Sequence, residues 1–353
     1  METIRHWLER SVEVGASDIF VGAGRRLTYK LDGVIVPQTD EIVTPNEAER
    51  LVSELYEMGR RSMQKYRDTG DDDFPISIPG LARFRISAYR QRGTMAAIIR
   101  VVHFDIPDYR SIGIPEEVMK TASEKNGLVL VTGPAGSGKT TTLACIIDAI
   151  NKTRNCHIIT LEDPIEFLHR DDKSLVSQRE VPTDTESYIT ALRSCLRQAP
   201  DIILLGEMRD HETIRTAMTA AETGHLVIST LHTVGAVNTI DRIIDVFPGQ
   251  QQQQIRVQLS MLLRTVVTQQ LLPTVSGVLT PVFEIMHVNS AIRNLIREAK
   301  THQIDNVIQT SAPEGMVAMD ASILRLVQNK VISHEVAINT AVNTEQMIRR
   351  LGG

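Results

Sequence analysis

The chain has 353 residues, 42% of them hydrophobic and 23% charged, which is material for two or three domains with ordinary cores. A formal net charge of −5 and only 4% aromatic residues argue against a general nucleic-acid binder, which needs clustered cations and stacking platforms. Cys145, Cys156 and Cys195 are far apart and form no C-x-x-C pair, so neither a disulfide framework nor a zinc module is expected, and a reducing compartment is.

METIRHWLERSVEVG places Ile4, Leu8 and Val12 at i, i+4 and i+8 and predicts an amphipathic helix, with no apolar core of signal-peptide length. RRLTYKLDGVIVP alternates about Asp32-Gly33 and predicts a hairpin. TPNEAERLVSELYEMG predicts a helix entered at Thr44-Pro45 and stopped at Gly59. FPISIPGLARFRISAYR predicts a second hairpin around Pro79-Gly80. On its returning strand Phe84, Ile86 and Ala88 share one face, and Arg83, Arg85 and Ser87 share the other. Residues 1–102 thus read as an α+β domain, and the proline-bearing VHFDIPDYRSIGIPEEV supplies a linker at 103–114.

The rhythm then changes. GLVLVTG, TTLACIIDAI, CHIITLED, ITALRSCLRQ, DIILLGE, ETIRTAMTAAETG and HLVISTL alternate strand with helix and predict βα units on a largely parallel sheet over 115–272. From about residue 250 the strands fade. QQQQIRVQLSMLLRTVVTQQLL, AIRNLIREAK and AMDASILRLVQNK read as helices, which makes 273–353 a mainly helical C-terminal region. No apolar run approaches the ~18 residues of a membrane helix, so the expectation is a cytoplasmic protein.

GPAGSGKT, residues 133–140, matches G-x-x-x-x-G-K-[ST], with an apolar strand before it and a helical run after it. Gly133, Gly136 and Gly138 let the backbone curl, so that the N–H groups of Gly133, Pro134-Ala135-Gly136, Ser137-Gly138 and Thr140-Thr141 line an anion cradle wherever the residue has one. Lys139 is expected on the β- and γ-phosphates of ATP, and the Thr140 hydroxyl on Mg²⁺. DIILLGE ends in Gly206-Glu207 where many such proteins carry Asp-Glu, leaving Glu207 to serve the metal shell or a water. TLEDPIEF clusters Glu162, Asp163 and Glu166 about Pro164, and any of the three carboxylates suits the orientation or deprotonation of water. His225 and His232 flank an apolar strand, seven residues apart. They cannot share a metal; His232, at the carboxyl end, is placed to sense a γ-phosphate, while His225 reads as a structural contact.

Taken together, GPAGSGKTT, TLEDPIEFLH, LRQAPDIILLGEMRDHETI and TGHLVISTLHTVGAVNTIDRIIDVFP resemble the Walker A, Asp-box, Walker B and His-box segments of the secretion and pilus-motor ATPases. The likeness runs from GASDIFVGAG to AIRNLIREAK, and the latter is similar to the C-terminal motif of the members that retract type IV pili. There Ser290 is the expected helix cap, Ile292, Leu295 and Ile296 the apolar stripe, and Arg293, Arg297 and Lys300 another face. The resemblance implies a PAS-like N-terminal domain, a RecA-like ATPase core, a homohexamer and Mg²⁺-dependent ATP hydrolysis. It also implies work beside a pilus platform protein at the cytoplasmic face of the inner membrane, with no zinc and no direct nucleic acid. It makes Glu166 the water-activating residue, Glu207 the Walker B acid, His232 the γ-phosphate contact, and Arg85 and Arg100 the cations that approach ATP from the N-terminal domain. Arg209 matches the motif too, without a defined role. GASDIFVGAG, RQAPD and IIRVVHFDIP depart from the family pattern, and none touches the phosphate loop or the acids. Pilus-assembly and secretion ATPases are the nearest alternatives; a nucleic-acid translocase and an inactive scaffold are more distant ones.

Overall fold

The computed structural model describes residues 2–31, 33–102 and 106–352, so Asp32 of the first expected hairpin and residues 103–105 of the expected linker lie outside it. The chain divides into two compact units, Met1–Asp105 with Glu166–Leu168, and Ile106–Ile165 with His169–Gly353.

The first unit runs α1 (Ile4–Glu13), β1 (Asp18–Gly22), β2 (Arg26–Leu31), β3 (Val34–Ile42), α2 (Pro45–Met58), α3 (Gln64–Thr69), β4 (Asp71–Ile78), β5 (Ala82–Gln91) and β6 (Thr94–Val102). Its six strands form an antiparallel sheet in the order β3-β2-β1-β6-β5-β4. Pleating sends alternate residues to opposite faces. Ile19, Val21, Phe84, Ile86, Ala88, Ala97 and Ile99 are therefore buried in one core with residues of α1 and α2. Thr44 starts α2 through a reciprocal capping box: its hydroxyl accepts from the Glu47 N–H and the Glu47 carboxylate accepts from the Thr44 N–H. Both expected hairpins and both expected helices are present. β1, β6 and α3 were not foreseen, because each is short or lacks a turn signal on one side.

In the second unit, residues 106–114 of the expected linker lie against the core, with Ile114 fully inside. After α4 (Glu116–Met119) come β7 (Gly127–Thr132), α5 (Lys139–Thr153), β8 (His157–Glu162), β9 (Leu175–Glu180), α6 (Tyr188–Cys195), β10 (Ile202–Leu205), α7 (His211–Glu222), β11 (Leu226–Leu231), α8 (Ala236–Asp245), α9 (Gly249–Leu262), β12 (Leu263–Pro273) and β13 (Leu279–His287). The sheet order is β13-β12-β7-β11-β10-β8-β9, parallel throughout except for the β12–β13 pair. Helices cover both faces, which is why β7, β10 and β11 are apolar at consecutive positions. Leu128 and Leu130 point into the core under α6 to α9, Val129 and Val131 into the core under α4 and α5.

Strands do not fade after residue 250. The long helix expected from QQQQIRVQLSMLLRTVVTQQLL stops at Leu262, and LRTVVTQQLLP continues as β12 alongside β7. The run Thr265-Val266-Val267-Thr268 is β-branched and buried on both faces of the sheet, an environment that suits a strand and that a one-faced helix cannot match. Helix returns at α10 (Ser290–Arg297), α11 (Ile304–Thr310), α12 (Met319–Gln328), α13 (His334–Thr340) and α14 (Thr344–Leu351). The last three close a small core of Met319, Ile323, Val327, Ile332, Ala337 and Met347 over Leu272 and Val282. In α10 two residues of the expected stripe, Ile292 and Ile296, are fully buried, and the third, Leu295, is half-buried. The helix cap, however, is Asn289, whose Oδ1 accepts from the Ile292 N–H at 3.0 Å; Ser290 is already the first helical residue. Among the described residues no helix is long and apolar enough to cross a membrane.

Candidate active site

The phosphate loop leaves the carboxyl end of β7 and closes onto the amino end of α5, the switch at which parallel sheets hold ligands. Gly133, Gly136 and Gly138 sit at φ of 140°, 74° and 84°, a region that penalises any side chain. Gly133 has no room for one either, since a Cβ there would lie 2.1 Å from the Gln269 carbonyl oxygen of β12. Pro134, Ala135 and Gly136 form the exposed tip, whereas Ser137 is buried with no partner for its Oγ. Lys139 opens α5 and is nearly buried. Its Nζ donates to the carbonyls of Gly133 and Pro134, both at 2.9 Å. Burial holds the Lys139 ammonium below its usual range, partly offset by the nearby Glu207 carboxylate. Thr140 and Thr141 follow, half-buried, in the first turn.

Glu207 comes two residues after β10, where hydroxyls of β11 fix the chain: Ser229 donates to the Leu205 carbonyl at 2.8 Å and Thr230 to the Gly206 carbonyl at 2.6 Å. The Glu207 side chain is 13% exposed and meets Arg209 at 2.5 Å and His232 Nε2 at 3.4 Å. The structure therefore brings Lys139, Glu207, Arg209 and His232 together. The glycine that replaces the usual aspartate has a steric reason. A Cβ at Gly206 would lie 2.7 Å from the Tyr188 hydroxyl and 3.2 Å from the Leu161 carbonyl. Burial, reinforced by the charges of Asp163, Glu207 and Glu162, pushes the Tyr188 phenol well above its ordinary range, so it remains a neutral donor.

The three carboxylates of the Asp box have different surroundings. Glu162, at the end of β8, is buried and accepts from the Thr160 hydroxyl at 2.6 Å and the Gln178 amide at 3.2 Å. Asp163 is exposed and close enough to Tyr188 and Arg209 to act on both electrostatically. Glu166 is exposed too, in the Glu166–Leu168 segment that groups with the first unit. His225 bonds through Nδ1 to the Ala220 carbonyl at 2.9 Å, a structural contact as expected. In the first unit, Arg85 and Arg100 stand directly opposite each other on β5 and β6, on the face away from the core. Arg100 pairs with the buried Asp18 at 3.0 Å and keeps 66% of its own side chain exposed.

Sequence reasoning passed over Gln269 and Tyr188. Gln269 was hidden by the misassigned helix, although its β-branched neighbours signal a strand. Tyr188 follows a Ser187 cap, with nothing in the sequence to relate it to Gly206.

The residues present suit a nucleoside triphosphate: a glycine cradle, a buried serine hydroxyl without a partner, a nearly buried lysine and a helix N-terminus converge on one loop. Comparison with known proteins agrees. Residues 1–277 match the family model described as type II/IV secretion system protein. The chain is 43% identical over 335 residues to the type IV pilus retraction ATPase PilT of Pseudomonas aeruginosa, spanning 95% of this chain and 96% of that one. It is 47% identical over 283 residues to a twitching motility protein of Neisseria gonorrhoeae, spanning 80% of this chain and 76% of that one. A crystal structure of the pilus retraction motor PilT with bound ADP has a TM-score of 0.91 at 41% identity and covers 99% of this chain and 100% of that one. The chain belongs to the type II/IV secretion system protein family and, within it, to the PilT-type pilus ATPases.

Proposed function

We propose that this chain is an ATP-hydrolysing motor that powers retraction of type IV pili. The observation that carries the reading is the match, end to end, with a retraction ATPase whose solved relative was crystallised with ADP. In this reading the loop from Gly133 to Thr141 holds the phosphates, and Lys139 turns from the loop carbonyls to the β- and γ-oxygens, where its charge offsets the charge that builds up as the γ-phosphoryl departs. Thr140 and Glu207 would hold Mg²⁺, which supplies Lewis-acid neutralisation of the phosphates. His232, tied to Glu207, contacts the γ-phosphate, and Glu166 orients or deprotonates the attacking water, with Asp163 and Glu162 as the other carboxylates of the same box. Arg85 and Arg100 bring cations to the nucleotide from the N-terminal, PAS-like domain over 1–102, which closes on a RecA-like core over 115–272 with a mainly helical 273–353. Six copies form the working ring, beside a platform protein at the cytoplasmic face of the inner membrane. A pilus-assembly or secretion ATPase is the second reading, favoured by the family model that all these motors share.

Purified protein should release phosphate from ATP when Mg²⁺ is present, and Lys139→Ala should lower that rate by about a hundredfold or more with folding intact. An undiminished rate in the variant would refute the site. Single-stranded DNA should leave the rate unchanged; stimulation would favour a translocase.

A further inference from the structure

The strand that the sequence disguises as helix is also the one that grips the phosphate loop. Thr268 of β12 lies opposite Thr132 at the end of β7, and their fully buried hydroxyls meet at 2.9 Å. The next residue, Gln269, is 3% exposed and touches the loop at both ends. Its carbonyl oxygen occupies the space a Cβ on Gly133 would need, 2.1 Å away, and its Nε2 lies 3.0 Å from where a Cβ on Gly138 would be. Between these contacts, the Thr142 hydroxyl, one turn into α5 from the loop, donates to Gln269 Oε1 at 2.6 Å. That bond fixes which way the carboxamide faces: acceptor to the helix, N–H₂ to the last glycine of the loop. The absence of a side chain at Gly133 leaves room for the Gln269 main-chain carbonyl, and at Gly138 for its carboxamide.

We infer that the side chain of Gln269 makes it a positioning residue for the phosphate loop, holding Gly138 and the first turn of α5 in the conformation that binds the phosphates of a nucleotide. The inference rests on the ATPase reading above. Because Gln269 acts on the loop, its loss weakens binding of the phosphate chain whatever the base, and touches the chemical step less.

The test uses the full-length protein with two variants. Gln269→Glu keeps the length and an oxygen for Thr142 but sets a carboxylate oxygen against Gly138 in place of N–H₂. Thr142→Val removes the hydroxyl that orients the carboxamide at nearly constant volume. Gln269→Glu should raise the KM for ATP and the Kd for ADP about tenfold, with kcat within about threefold of wild type. Thr142→Val should move both in the same direction by about threefold. The inhibition constant of inorganic pyrophosphate should rise by the same factors, and the melting temperature of Thr142→Val should fall by only a few degrees, the cost of leaving Gln269 Oε1 unpaired. Because Gln269→Glu also adds a charge near the phosphates, the shift in affinity at constant kcat in the uncharged Thr142→Val is the result a merely structural glutamine would not produce. Wild-type KM and ADP affinity in both variants would overturn the inference, as would a loss of kcat at unchanged KM. If Gln269→Glu does not fold, Thr142→Val decides alone, and unaltered ADP affinity in it counts against the inference. Wild-type protein that binds no ADP would overturn the ATPase reading and the inference with it.

Discussion

At the residue scale, the glycine that departs from a motif has neighbours that explain it. Gly206 stands where an acid is common, and the Tyr188 hydroxyl and the Leu161 carbonyl fill the space a side chain would take. Gly206→Ala should cost about 2 kcal/mol by forcing Tyr188 or the end of β8 aside. In a Tyr188→Phe background the added methyl should cost less than half as much, because the atom it strikes is gone; equal costs in both backgrounds, by denaturant unfolding, would reject the explanation. The loop glycines, Lys139 and Glu207 were legible in the sequence because phosphate chemistry demands those types at that spacing. The occupant of the space beside Gly206 was not, since Tyr188 reaches it only through the fold. His169 behaves in the same hidden way. Burial pushes its imidazole down to about 4, so between that value and the ordinary range of about 6.5 the unfolded chain takes up a proton that the folded chain refuses. Stability from this residue is therefore present at neutral pH and lost as pH falls from about 6.5 to about 4. His169→Gln should flatten that part of the melting-temperature profile, and a profile of unchanged slope would count against the buried neutral imidazole.

At the scale of elements, periodicity identified the amphipathic pieces and failed where both faces are buried. α1 and α2 expose one side to water, so apolar spacing and a capping box mark them. β12 is buried on both sides, and LLRTVVTQQLL offers no alternation to separate strand from helix. Its β-branched centre was the available signal, and its consequence is large, because β12 contacts the phosphate loop. The C-terminal motif gives a sharper test at one helix end. Asn289→Ala should cost about 1 kcal/mol, because it removes the acceptor for the Ile292 N–H, whereas Ser290→Ala should change stability by only a few tenths. The reverse order in urea titrations would restore Ser290 as the cap.

At the scale of the whole molecule, the family was legible from four motifs in order, whereas the change of rhythm near residue 115 does not mark where the structure divides: its units part at Asp105 and Ile106, and Glu166–Leu168 joins the first. The direction of the motor is written in neither rhythm nor loop; it depends on the C-terminal segment and on likeness to retraction ATPases over nearly the full length. The most direct measurement is made on the source cell: delete the gene, count surface pili and score pilus-dependent movement, with wild-type and Lys139→Ala copies returned separately. A retraction motor predicts more pili and no movement, restored by the wild-type copy and not by Lys139→Ala. Cells without pili would contradict it and point to assembly.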